Sequence, residues 1–174
     1  MRHLHKVVVT MDLSRESIRE GIKQIREFRN WLNIVSSDLT ARLAQEGYDV
    51  AAINFAAVTP LYDSRSGYAD VDLNVRFIGK HRAAIRASGQ DVCFIEFGAG
   101  ITYGDGYPAE RPSGVVGIGE YGKKQGGNEK GWWFTDNTKK SVHTYGNPPA
   151  GAMFEAQQTI CRRVEAIARE VFRV

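Results

Sequence analysis

The chain has 174 residues, of which 43% are hydrophobic and 25% charged, with a formal net charge of +3. That is one domain's worth of ordinary globular sequence, able to bury a core without disulfide or metal staples and too weakly basic for charge alone to specify nucleic acid. No window approaches the roughly 18 apolar residues of a membrane span, and MRHLHKVVVTMD at the start reads as neither a signal peptide nor a lipidation site.

Residues 5–11 alternate loosely and are rich in valine, which predicts a short strand. From Ser14 the period lengthens. Ile18, Ile22, Ile25, Phe28, Leu32, Val35, Leu39 and Leu43 recur every three or four residues, the stripe of a helix over about 14–46. Ser14 is placed to cap it, Glu16 suits its positive end, Ser36-Ser37 marks a possible bend and Gly47 is placed to close it. Residues 48–58 resume the helical period until Pro60, which is expected to stop it.

After a polar turn over 62–70, Val71, Leu73, Val75 and Phe77 alternate with Asp72, Asn74 and Arg76, the pattern of a strand with one buried face. Gly79-Lys80 reads as a turn, 82–88 as a second strand, 88–91 as a second turn and 92–97 as a third strand, completing an antiparallel meander. In that third strand Val92 and Phe94 would face one side and Cys93, Ile95 and Phe97 the other, so it is expected to be central. Residues 132–135 and 141–145 flank Asp136-Asn137-Thr138 and predict a second hairpin. Pro148-Pro149 then leads into a last helix with Met153, Ile160, Val164, Ile167 and Val171 on one side. The expected fold is α+β: a single domain over 1–174, its antiparallel meander and hairpin packed by a long N-terminal helix and a C-terminal helix.

Eleven of the 18 glycines fall in the 34 residues from Gly98 to Gly131. Glycine gives up more backbone freedom on ordering than any other residue, so this stretch is expected to form a long loop, over about 99–131, rather than helix or sheet. It is not a plain linker, because Tyr103, Tyr107 and Tyr121 lie within it and Trp132-Trp133-Phe134 follows it. A long loop with its own anchors usually touches something. The candidate interaction residues are therefore Tyr103, Tyr107, Tyr121, Lys123, Lys124, Lys130, Trp132 and Trp133. Aromatics beside lysines also match the recipe for stacking on single-stranded bases. Packing of one Trp on the sheet and of the other on the loop or a partner is the stronger reading of them.

Chemical motifs are sparse. Gly117 to Gly122 spells GxGxxG, but no helix can follow through KKQGGNEKG, so the context of a dinucleotide site is missing. Cys93 and Cys161 sit in apolar periodic settings and read as buried thiols. His3 and His5 make an incidental pair, and Glu96 with Glu120 only a distant acid pair. No catalytic residue, cofactor or metal site is expected. Charges are finely mixed except for Arg76, Lys80, Arg82 and Arg86, an acid-free run that includes His81. Such a run suits a solvated hairpin edge, or a surface for DNA or an acidic partner.

Taken in order, the long helix, the segment Phe94-Ile95-Glu96-Phe97-Gly98-Ala99-Gly100, the glycine-rich insertion with GIGEYGKKQG and GWWF, and HTYGNPPAGAMFEA opening the last helix resemble a family. It is that of the tail-completion, or head–tail joining, proteins in the neck of long-tailed double-stranded DNA bacteriophages. FIEFGAG resembles that family's (Y/F)(I/V)EFGTG strand end, with Ala99 in place of the commoner Thr. Residues 147–156 resemble its PxxFMxxA helix start, with Met153, Phe154, Glu155 and Ala156 in place. The resemblance implies a virion structural protein without catalysis, made in the bacterial host cytoplasm, with no membrane partner. It implies a homo-oligomeric ring, hexameric by analogy, between the head stopper or connector and the tail terminator or tail tube, with double-stranded DNA passing through the lumen unread. Two other classes stand beside it. One is a nucleic-acid-binding module using the basic hairpin and the Trp-rich strand; the other is a small enzyme with a glycine-rich lid.

Overall fold

A computed structural model describes residues 8–66, 70–98, 132–135, 139–144 and 147–172. Helix α1 spans Arg15–Ser66, about 78 Å at 1.5 Å per residue. Its start is built as expected: the Ser17 amide donates to Ser14 Oγ at 3.2 Å and the Ile18 amide to the Ser14 carbonyl at 3.1 Å. Asp12 turns the chain into this cap, its carboxylate accepting the Ser14 amide at 2.7 Å while its own amide donates to Ser17 Oγ at 2.9 Å. Residues 8–11 therefore form no strand, which corrects the expectation for 5–11 over the described part. They lie along α1, where a Cβ on Gly21 would collide with Met11 and stand 3.3 Å from Val9 Cγ1.

Neither Gly47 nor Pro60 ends the helix. A proline inside a helix removes one amide donor and tends to kink the helix, which here continues through to Ser66. Gly47 answers a packing need instead of a capping one: a Cβ there would stand 2.5 Å from the Cδ1 atoms of both Ile160 and Ile85. Ser36 lies within the same helix, its carbonyl accepting the Thr40 hydroxyl at 2.9 Å.

Strands β1 (Asp72–Phe77) and β2 (Ala83–Ser88) pair antiparallel, with Asp72 opposite Ser88 and Phe77 opposite Ala83. The Ile78 amide donates to the Arg82 carbonyl at 2.8 Å, and Gly79 takes φ +84° in the turn. At the open end, the Asp70 amide donates to the Asp91 carboxylate at 2.8 Å and the Gln90 amide to the Asp70 carboxylate at 2.9 Å. Two aspartates thus clamp the hairpin's base.

The expected third strand is a short helix, α2 (Val92–Phe97), opened by the Ile95 amide bonding to the Asp91 carbonyl. The meander is therefore a two-stranded hairpin. Short apolar runs do not distinguish a strand from a buried helix by periodicity. What favours the helix is that its last carbonyls and its Glu96 find partners in the following structure. Strands β3 (Trp132–Thr135) and β4 (Ser141–Thr144) pair antiparallel as a separate two-stranded sheet, with Trp133 opposite His143.

Helix α3 (Ala152–Val171) runs antiparallel along α1. Phe172 meets Trp31 edge-on at 6.1 Å, Arg163 pairs with Glu46 at 2.6 Å, and Ala152 and Ala156 close against Ala51 and Phe55. Ile95 of α2 completes this core, which Leu73 and Ala87 cover from the sheet. Long helices, antiparallel hairpins and their segregation make the fold α+β, as expected. No helix among the described residues is long and apolar enough to cross a membrane. Both cysteines are free, but Cys93 is only half-buried and Cys161 is exposed, against the expectation of two buried thiols. Cys161 falls off the α3 stripe that Ile160 and Ile167 bury.

Candidate functional site

The two segments that carry the family resemblance, more than fifty residues apart in sequence, meet end to end. A helix leaves its last carbonyls and first amides without intrahelical partners. Here each helix end supplies the other. The carbonyls of Phe94, Ile95 and Glu96 at the end of α2 accept from Asn147 Nδ2 at 2.8 Å, the Ala150 amide at 2.8 Å and the Gly151 amide at 3.1 Å. In return, the Glu96 carboxylate accepts the Met153 amide on Oε2 at 2.9 Å and the Phe154 amide on Oε1 at 3.1 Å.

The local sequence requires this exchange. Gly151 precedes α3 in the left-handed region (φ +58°) and offers no side-chain cap, so the first turn needs an acceptor from elsewhere. Glu96 is only 4% exposed. A carboxylate so deeply buried is stable only when paired, and the positive end of a helix with two aimed amides is such a partner. Both of its oxygens are engaged, so the geometry makes it a cap. Glu120, the other member of the distant acid pair, lies outside the described residues. Asn147, 7% exposed, also donates to the Pro148 carbonyl at 3.1 Å. Gly98 follows at φ +74°, ψ +169°, where a Cβ would stand 2.8 Å from the Pro149 nitrogen. Gly98, the last described residue before the glycine-rich segment, is thus firmly held.

An open cleft of about 400 Å³ lies beside this junction, walled by Ile85, Val92, Phe97, Met153 and Phe154, with Arg86 at its polar edge. Its carboxylate is Glu96, already engaged.

Of the expected interaction residues, Tyr103, Tyr107, Tyr121, Lys123, Lys124 and Lys130 lie outside the described residues. Trp132 and Trp133 are both on β3. Trp133 is 67% exposed and meets the His143 ring edge-on at 5.0 Å. Arg76, Lys80, Arg82 and Arg86 come together on the β1–β2 hairpin, all exposed. In the sequence Asn147 stands only as the first residue of the 147–156 motif, with nothing local to mark it as a partner of α2. Glu96 carried a signal there, as the single charge in an otherwise apolar run from Val92 to Phe97. Against family models, curated proteins and solved structures alike, the chain finds no match.

Proposed function

We propose that this protein is a non-enzymatic structural subunit of the neck of a long-tailed bacteriophage, joining the head connector to the tail as part of a homo-oligomeric ring. The observation that carries the reading is the junction: FIEFG and NPPAGAMFEA, the segments that resemble the tail-completion family, form one interlocked unit through Glu96, Asn147 and Gly98. Residues that make a common structural unit are a sounder basis for a resemblance than two scattered matches.

The outer half of α1 supports the same reading. Phe172 at the end of α3 reaches Trp31, and on the N-terminal side Ile18, Ile22 and Ile25 remain 40–52% exposed along one helical stripe. A contiguous apolar stripe on a soluble subunit suits burial against a neighbour, and rotationally related contacts of this kind close rings. The lidded-enzyme reading asks for a polar pocket with a free acid or base, and the cleft by α2 is walled mainly by apolar side chains.

The test is genetic and visual. Interrupting this reading frame in the genome that carries it is expected to yield DNA-filled heads and finished tails that do not join, with joining restored by the chain supplied in trans. Intact joined particles without the protein would overturn the proposal.

A further inference from the structure

The register of the β1–β2 hairpin sorts its side chains into two faces. Leu73, Val75 and Phe77 stand opposite Ala87, Ile85 and Ala83, and this face turns to the core through Leu73 and Ala87. The other face carries Asp72, Asn74 and Arg76 opposite Ser88, Arg86 and Ala84. Arg76 and Arg86 are diagonal neighbours there, a spacing of roughly 7–8 Å in an antiparallel pair. Lys80 and Arg82 extend the cationic surface into the turn.

These four charges have no ion-pair partner among the described residues. In α3, by contrast, Arg162, Arg163 and Arg169 each pair with a glutamate. Asp72 sits at the far end of the outward face, where its carboxylate accepts the Asn74 amide group at 3.3 Å, and Asp70 and Asp91 are occupied at the hairpin base. Diagonal like charges without a counter-charge repel, so the face favours an incoming anion. Its other members, Asn74, Ala84 and Ser88, are short, which leaves the two guanidinium groups foremost. Guanidinium forks match phosphate oxygens. Nor does this face hold a large apolar side chain of the kind that anchors a protein partner, since Phe77 belongs to the opposite row.

We infer that the outward face of the β1–β2 hairpin contacts the phosphate backbone of duplex DNA through Arg76, Lys80, Arg82 and Arg86, without reading base sequence. The preference for DNA over an acidic protein rests partly on the neck reading, in which a duplex passes the protein; the charge, register and lack of an apolar anchor stand without it. An unread phosphate contact is weak and steeply salt-dependent, with a specified number of counterions released.

The test is a fluorescence-anisotropy titration of the full chain with labelled duplexes of two unrelated sequences, between about 50 and 200 mM salt. Expected are dissociation constants of roughly 10⁻⁴–10⁻⁶ M at physiological salt, equal for the two sequences, and a slope of log affinity on log salt that loses about 3.6 in magnitude when all four residues become Ala. A control with Arg15, Arg19, Arg26 and Arg29 of α1 changed to Ala is expected to keep the larger part of that slope. If the fourfold variant loses its far-UV circular dichroism, Arg76→Gln with Arg86→Gln reads the same effect as a loss of about 1.8. Equal losses in the α1 control, no duplex binding at low salt, or strong preference for one sequence would each overturn the inference. So would binding of poly-glutamate but not duplex, which would identify an acidic protein as the partner. None of these outcomes touches the neck reading, which head–tail joining decides separately.

Discussion

Gly47 lies directly beneath Ile160, so close that a Cβ on the glycine would stand 2.5 Å from Ile160 Cδ1 and 3.1 Å from its Cγ1. The same missing Cβ admits Ile85 of β2, so one glycine in the middle of α1 lets a helix and a strand approach at the same level.

Substitution at Gly47 therefore sets helix propensity against packing. Alanine in a helix interior is favoured over glycine by about 1 kcal/mol, and the two Cδ1 atoms are side-chain ends that can swing aside. Gly47→Ala is expected to change stability by less than about 1 kcal/mol, whereas Gly47→Val is expected to lose about 1–3 kcal/mol by overpacking. Chemical denaturation measures both. In the double variant Gly47→Val with Ile160→Ala, part of the loss should return as a coupling of at least about 0.5 kcal/mol. Strictly additive losses would show that the close approach does not limit packing.

Glu96 offers a sharper contrast. Glu96→Ala leaves the Met153 and Phe154 amides without their acceptor and is expected to destabilise the fold by about 3 kcal/mol or more, at 1.5–3 kcal/mol for each charge-assisted bond. Glu96→Gln keeps one acceptor oxygen but turns a donor toward the second amide, so an intermediate loss is expected. Equal, small losses for both would mean that the α3 amides find water instead.

Removing residues 103–127 tests whether the glycine-rich segment belongs to the core or to an interface. Because its root is held at Gly98 against Pro149, the deletion is expected to leave a folded domain with a cooperative melt while blocking the joining of heads to tails. Loss of the cooperative transition would place the segment in the core.

At the start of α1, hydrogen bonds from the Ser14 hydroxyl and amide hold the Asp12 carboxyl below its ordinary value of 3.8. A depressed folded value means that the interaction is fully present above the ordinary carboxylate range and is lost as pH falls through the depressed value. An NMR titration should show the Ser14 amide shifting with a midpoint below 3.8, and Asp12→Asn should abolish the inflection. A midpoint at or above 3.8 would contradict the turn.

Elements with a repeating local pattern were legible in the chain itself. The alternation from Val71 to Val75, the turn at Gly79, the Ser14 cap, the hairpin flanking residues 136–138 and the stripe of the last helix each arise from neighbours a few residues apart, and the structure places them accordingly, whereas Phe77, expected on the buried face, is exposed. The cationic run on the hairpin was legible too, although only the register puts Arg76 and Arg86 on one outward face. Tertiary structure alone decided the rest. The run from Val92 to Phe97 is apolar enough for a strand or a buried helix, and the choice fell to helix because its terminal carbonyls and Glu96 meet Asn147, Ala150, Gly151 and the first amides of α3. Gly47 reads locally as a helix stop, yet the helix runs on, and the missing side chain makes room for Ile160 and Ile85. Local pattern specifies an element wherever its own backbone groups and side chains suffice; where they do not, the partner that supplies the missing hydrogen bond or volume determines the outcome.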